Sequence, residues 1–230
     1  MAVEILQTSV IAIIVGFVAL VMLRNIIPGL YQQDRRIAQF LYLDLFWVAP
    51  FFIVILYEQA SISTMGLTLG DDINKTLMYT VLCVLVTLFL FIFSARREKQ
   101  KGNIRISKGQ LVVGNEAVDL SIVSAQGFVL IFLMQLLWTA LPLEIFFRGY
   151  LITRIADSFS DFAGVLLSAL IYFVAYMDKP IFGTINIVLG LLWGYSVIVT
   201  GSIVPGLVAH IFINTTSYYF SRNIAVSARL

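Results

Sequence analysis

Residues 126–152 read QGFVLIFLMQLLWTALPLEIFFRGYLI. A helix crossing a hydrocarbon core about 30 Å thick needs roughly 20 predominantly apolar residues, and this run exceeds that length while carrying only Glu144 and Arg148 as charges. It is too long for a strand or a short core helix, so it reads as a membrane span. A charge at mid-bilayer costs on the order of 2.5–3.5 kcal/mol on insertion scales, which makes each such residue a functional candidate. Glu144 lies four residues before Arg148, so the two share a helix face and can neutralise each other. Two readings stay open: an ion pair that only pins helices together, or part of a working site. Pro142, just upstream, frees a backbone carbonyl and marks a helix bent around a polar cavity.

Working outward, the whole chain is 60% hydrophobic and 12% charged, against roughly 45–50% and about 25% in soluble domains. That excludes a plain soluble globule. Six further apolar runs, 5–23, 40–57, 77–95, 162–177, 182–200 and 203–220, give an all-α fold with about seven transmembrane helices. The first run has Glu4 where a signal peptide carries positive charge, and it lacks a small-x-small cleavage site, so it reads as a retained anchor. The one sizeable polar insert opens with Arg96, Arg97, Lys99 and Lys101, a solvated helix end suited to anionic lipid. Beyond it the period changes: Ile104-Arg105-Ile106, Gln110-Leu111-Val112-Val113 and Ala117-Val118-Asp119-Leu120 alternate or are β-branched, separated by Ser107-Lys108-Gly109 and Gly114-Asn115-Glu116. Such spacing predicts a small cytoplasmic β-meander. The chain thus divides into a three-span region (1–95), the insert (96–125), a four-helix core (126–220) and a cytoplasmic tail (221–230). No internal repeat suggests an inverted-repeat transporter.

The loops set an orientation. Arg24, Arg35, Arg36, Arg96, Arg97, Lys99, Lys101, Arg105, Lys108, Lys179, Arg222 and Arg229 fall on one side; Lys75 and Arg154 fall on the other, and Arg148 completes the fifteen. The crowded side is expected to be cytoplasmic, with the amino terminus outside, in the cell (inner) membrane. A net charge of +2, scattered along the chain, offers nothing to nucleic acid. The single cysteine, Cys83, lies in an apolar run and reads as packing.

A second polar constellation sits on the last span. His210, the only histidine, and Asn214 are four apart and share a face, offering an imidazole and an amide to one cavity. Tyr172 and Tyr176 have the same spacing on the fifth span, where aromatic residues ordinarily serve packing. Asp44 and Glu58, at or near span ends, and Asn186, early in its span, carry less weight. Gly190 and Gly194 form a GxxxG suited to close helix contact.

Leu143-Glu144-Ile145-Phe146-Phe147-Arg148 followed by Gly149-Tyr150-Leu151, Tyr172-Phe173-Val174-Ala175-Tyr176, Gly190-Leu191-Leu192-Trp193-Gly194, Thr200-Gly201-Ser202-Ile203-Val204-Pro205 and His210-Ile211-Phe212-Ile213-Asn214 come in this order. Together they resemble the CAAX protease and bacteriocin-processing (CPBP, or Abi) family of intramembrane proteases, over roughly residues 126–219. That family's motifs are EExxxR, FxxxH and HxxxN on successive core spans. The resemblance implies an endopeptidase fold in which the first Glu and the second-motif His activate a water, while the last His and Asn stabilise the oxyanion.

The departures fall on one half of that machinery. Leu143 stands at the first Glu, and tyrosines, Tyr172 and Tyr176, stand at the Phe and His of the second motif. By this correspondence His210 and Asn214 survive and the water-activating half is gone. Three readings follow: a pseudo-protease binding a peptide or a partner membrane protein; an active endopeptidase with a rearranged site using Glu144, Arg148, His210 and Asn214; and a small transporter. No cofactor and no metal is expected, since one His, one Glu and one Asn make a thin zinc set. The expected partners are the lipid bilayer and a peptide or membrane protein, with no nucleic acid.

Overall fold

In the computed structural model, which describes residues 2–107, 110–113, 116–119, 128–177, 183 and 185–227, the apolar runs become seven helical rods. These are α1 (2–33), α2 (Arg35–Tyr57), α3 (Ile73–Gln100), α4 (128–158), α5 (Asp161–Tyr176), α6 (Asn186–Thr200) and α7 (Val204–Ser227). Four of them, α1 to α4, are long and apolar enough to cross a membrane. Much of their apolar surface faces outward, Phe17 and Phe89 among it, where hydrocarbon is its favourable surrounding. This is an integral, multi-pass membrane protein. Lys108, Lys179 and Arg229 of the charge count, the turn residues Gly109, Gly114 and Asn115, and the stretches 120–127 and 178–182 that open the fourth and sixth expected spans lie outside the described residues.

Helix starts follow local chemistry. Asp34 accepts from the backbone N–H of Arg36 at 2.8 Å, Asp72 from Asn74 at 2.9 Å and Ser160 from Ala163 at 3.1 Å, each side chain satisfying a donor that the first turn leaves orphaned. At the end of α6, Gly201 adopts φ 68°, a left-handed stop that glycine reaches without strain. Residues Ile104–Ser107, Gln110–Val113 and Glu116–Asp119 form β1, β2 and β3, antiparallel in sequence order, with Ile104 opposite Val113 and Gln110 opposite Asp119.

The centre of the bundle is α4, buried at every position from Pro142 to Ile152. Phe146 and Phe147 pack with Phe46 of α2, the first edge-on at 5.0 Å, and Phe147 meets Tyr172 of α5 at 5.2 Å. The helix is not regular: the segments Gln135–Ala140 and Glu144–Leu151 wind with wide i→i+5 turns on either side of Pro142. The missing proline N–H is one cause of such irregularity. On α6, a Cβ added at Gly190 would stand 2.9 Å from the Ala169 Cβ of α5, and one at Gly194 would stand 2.9 Å from Ile152 Cδ1 of α4. The GxxxG therefore brings α6 tightly onto both neighbours.

One expectation about charge is corrected here. Arg154 counts as a loop residue by sequence, and Glu58 as a solvent-reachable span end. The structure buries both, with Arg154 Nε and Nη2 donating to Glu58 Oε2 at 2.8 and 2.5 Å. Arg154 also donates through Nη1 to the Thr64 carbonyl at 3.2 Å and through Nη2 to Thr64 Oγ1 at 3.0 Å. α4 runs on past the apolar stretch, so its last turns lie under the 58–72 connection instead of in water. That connection in turn holds the α6–α7 turn: Ile203 N donates to the Gly66 carbonyl at 3.0 Å and Ser202 Oγ to the Thr68 carbonyl at 2.5 Å.

Candidate functional site

Glu144 is fully buried and His210 is 5% exposed. His210 Nδ1 stands 2.9 Å from Glu144 Oε1, joining α4 to α7. A carboxylate only accepts, so in a neutral imidazole facing the ionised acid Nδ1 is the donor and Nε2 carries the lone pair. The other carboxylate oxygen, Oε2, lies 3.5 Å from Arg148 Nε, an ion pair longer than a hydrogen bond. The Arg148 guanidinium spreads over aromatic faces instead, 4.3 Å from the Tyr172 centroid and 5.2 Å from that of Trp193, as cation–π attraction favours. Its two terminal nitrogens have no hydrogen-bond partner among the described residues.

Two residues that the sequence reading passes over hold this arrangement. Trp193 stacks on His210 with centroids 5.1 Å apart and planes at 30°, and its indole N–H donates to Thr87 Oγ1 of α3 at 3.1 Å. The ring is therefore fixed at its far end and supports the imidazole on its face. Gly206, one turn before His210, is the close-approach point: a Cβ there would stand 2.8 Å from Glu144 Oε2 and 3.1 Å from Trp193 Cβ. A Cβ at this position would press on both groups, so glycine favours the close approach of α7 that accompanies the 2.9 Å contact. Its signal in the sequence is a Pro205-Gly206 pair inside an apolar run, indistinguishable there from an ordinary helix start.

A cavity of about 170 Å³ opens on the other side of the imidazole, with His210, Asn214, Tyr172, Tyr176, Leu143 and Asn186 in its wall. Residues from three separate motif positions thus meet in one place, and Asn186, weakly weighted by sequence, joins them because it lies one and two turns before Leu189 and Trp193 on the same α6 face. Thr139 of α4 also lines it. Glu144 and Arg148 do not line the cavity; they stand behind His210 and Tyr172, where the geometry allows them to orient and charge-balance the wall. Asp44 is absent from the lining. Cys83 is buried with Leu189, Trp193 and Ala209 in the core beside the site. Among the described residues no three His, Cys, Asp or Glu side chains converge as a metal set would require.

Chemically, the cavity presents an imidazole nitrogen, two amides and three hydroxyls against an apolar floor. It can donate to and accept from a carbonyl or amide. The same wall holds Leu143 and Tyr176, the positions that the resemblance equates with a water-activating pair, and an unperturbed tyrosine, with a pKa near 10, is a poor proton acceptor near neutrality.

Residues 125–216, less than half of the chain, match the family model described as type II CAAX prenyl endopeptidase, Rce1-like. The match spans the same helices that carry the three motifs, two of them degenerate, and it bears out the resemblance to CAAX proteases read from them. No curated protein and no solved structure gives a significant match.

Proposed function

We propose that this CAAX-protease-like membrane protein is a pseudo-protease, in which the cavity between α4 and α7 holds a peptide segment or part of a partner membrane protein without cleaving it. The observation that carries this reading is the part of the wall made of Leu143, Tyr172 and Tyr176. Peptide hydrolysis needs a base within hydrogen-bond reach of water; these side chains supply none. The binding half fits the same chemistry: Asn186, Asn214 and His210 face space that a backbone amide can fill.

In this reading His210 and Asn214 are the ligand-contacting residues, and Glu144 and Arg148 are positioning residues behind them. The Lys and Arg excess puts β1 to β3 and the carboxyl terminus in the cytoplasm, with the amino terminus outside, in the cell (inner) membrane. On that orientation Tyr176 and Asn186, which line the cavity, stand at the cytoplasmic ends of α5 and α6, so the cavity is approached from the cytoplasmic side. Residues 1–95 act as a three-span platform for the four-helix core of 126–220.

One observation favours a second reading. The Glu144–His210 contact at 2.9 Å is that of a carboxylate orienting an imidazole, which leaves Nε2 able to act as a base in a rearranged endopeptidase. The test is purification in mild detergent followed by incubation with a co-expressed membrane bait. A stoichiometric co-purifying partner and no cleavage support the pseudo-protease. Cleavage by the native chain that Glu144→Gln abolishes establishes the enzyme instead. As a complement, Leu143→Glu combined with Tyr176→His is expected to create peptidase activity that neither substitution gives alone, because the base and its orienting partner must both be present.

A further inference from the structure

The His210 chamber, at about 170 Å³, falls short of the roughly 300–1,000 Å³ usual for a site that encloses an organic ligand. Beside it lies a second cavity of about 750 Å³ that opens to the surroundings, and the two have Thr139 and Tyr176 in common. The order of the lining residues along two helices shows how they are joined. On α4, Trp138 lines the outer cavity, Thr139 lines both, and Leu143, one turn on, lines the inner chamber. On α5, Tyr172 lines the inner chamber, Ala175 the outer cavity and Tyr176 both. The two compartments are therefore consecutive parts of one cleft, with Thr139 and Tyr176 at their boundary. Thr139 belongs to the wide-turn segment Gln135–Ala140, an irregularity that gathers at functional sites. The Tyr176 ring rests against Tyr172 with centroids 5.0 Å apart. Arg24 Nη1 donates to the Val174 carbonyl at 3.0 Å, which ties the end of α1 to the last turn of α5 and fixes the outer wall beside Tyr176.

We propose that the two compartments form one composite site for an extended polypeptide segment, which enters through the outer cavity and passes between Thr139 and Tyr176 to reach His210. This deepens, and rests on, the reading of the His210 chamber as a ligand site. Three observations set the occupant. A cavity of about 150 Å³ holds a single benzene ring, so the inner chamber has room for about one peptide unit or one side chain, and anything that touches His210 must continue outward across the boundary. A helix with its side chains is about 10–12 Å across, which excludes a transmembrane helix of a partner from that chamber; a single extended chain, whose amides suit Asn186, Asn214 and His210, fits. The outer cavity mixes Tyr31, Gln32 and Tyr42 with Leu23, Ile27 and Pro28, a lining that takes large apolar side chains and offers hydroxyl and amide partners to a main chain. Tyr31 and Gln32 close α1 and Tyr42 lies early in α2, so the mouth faces the side of the α1–α2 connection, where a flexible chain can thread in from outside the bilayer.

The test follows entry and not cleavage. Leu143→Cys places a thiol in the inner chamber at a residue only 2% exposed, and the native Cys83, buried in the core, is the unreactive background. The full chain in mild detergent is offered two iodoacetylated peptides of similar length, a flexible one of glycine and alanine and one locked as a helix by a hydrocarbon staple, and alkylation is followed by intact mass. The flexible peptide is expected to reach the inner thiol about tenfold faster than the helical one, a modest difference in barrier. Gln32→Cys, in the outer cavity, should react with both at similar rates. Thr139→Trp combined with Leu143→Cys should slow the flexible peptide about tenfold by filling the boundary, without changing the rate at Gln32→Cys, and Tyr176→Ala should speed it. If Thr139→Trp fails to fold, as a collapsed melting transition would reveal, the Tyr176→Ala arm carries the decision. Equal reaction of the inner thiol with both peptides overturns the proposal, as does an inner rate that neither boundary substitution changes. The pseudo-protease reading is judged separately, by Glu144-dependent hydrolysis of the peptide, which these alkylation rates do not involve.

Discussion

α4 carries the arginines of two buried acid–arginine pairs, within about two turns of each other, and the pairs are built differently. At the end of the helix, Arg154 gives Glu58 two short hydrogen bonds and spends its remaining donors on Thr64 and on Thr153. In the middle, Arg148 reaches Glu144 only at 3.5 Å, and its terminal nitrogens have no partner among the described residues. In the first pair the arginine's donors are all used within the chain, although Glu58 Oε1 has no hydrogen-bond partner among the described residues, and the pair clasps the 58–72 connection to α4. The second retains hydrogen-bonding capacity and shares its acid with His210 on the cavity wall. A buried charge whose partners are all internal is fitted for stability, whereas one left partly unpartnered beside a cavity is fitted for a ligand or for positioning one.

The largest expected effect breaks the clasp. Arg154→Leu strands the Glu58 carboxylate and should lower stability by about 3–5 kcal/mol, read as the shift in a detergent-solubilised melting or denaturation curve. A clasp variant as stable as the native chain would mean that the two pairs do not differ in the way described. Arg148→Leu should come next, at about 2–3 kcal/mol, since Glu144 retains His210 after the loss. It should exceed Glu144→Gln, whose amide still accepts from the imidazole; equal melting shifts for these two variants would argue against the Glu144–Arg148 pairing. Double-mutant cycles sharpen the comparison, with the coupling of Glu58 to Arg154 expected to exceed that of Glu144 to Arg148.

Gly206→Ala should cost about 1–2 kcal/mol by overpacking, and its local signature matters more than its size. By pushing Glu144 off His210 it should broaden or shift the imidazole NMR resonance while leaving the Arg154 clasp intact. An unchanged resonance would show that α7 yields without disturbing the pair. Smallest is Trp193→Phe, which keeps a ring over His210 but loses the bond to Thr87, at about 1 kcal/mol. Proteolysis or hydrogen exchange should report it as loosening between α3 and α6.

The legible part of the candidate site was the part encoded over one helical turn. Glu144 with Arg148 and His210 with Asn214 are i, i+4 pairs, and period alone puts each on one face. Asn186 was underweighted because a single polar residue near a span end looks the same whether it meets headgroups or a cavity. Arg154 was misassigned for a related reason: hydropathy finds where an apolar run stops, and the helix runs further, to Ser158. Trp193 and Gly206 carry no chemical flag in an apolar sequence.

What the sequence determined by itself is therefore the membrane character, the approximate helices and the local pairs, because bilayer thickness and helical period act on residues close in the chain. Only the tertiary structure decided that Glu144 meets His210, 66 residues away, and that Arg154 meets Glu58, 96 residues away. Only it decided that Asn186 and Thr139 share a cavity with Tyr176. Those meetings depend on how closely helices approach, which a few small residues such as Gly190, Gly194 and Gly206 control by the absence of a Cβ. An absent atom leaves no periodic signature, and its effect exists only once a second helix lies against it.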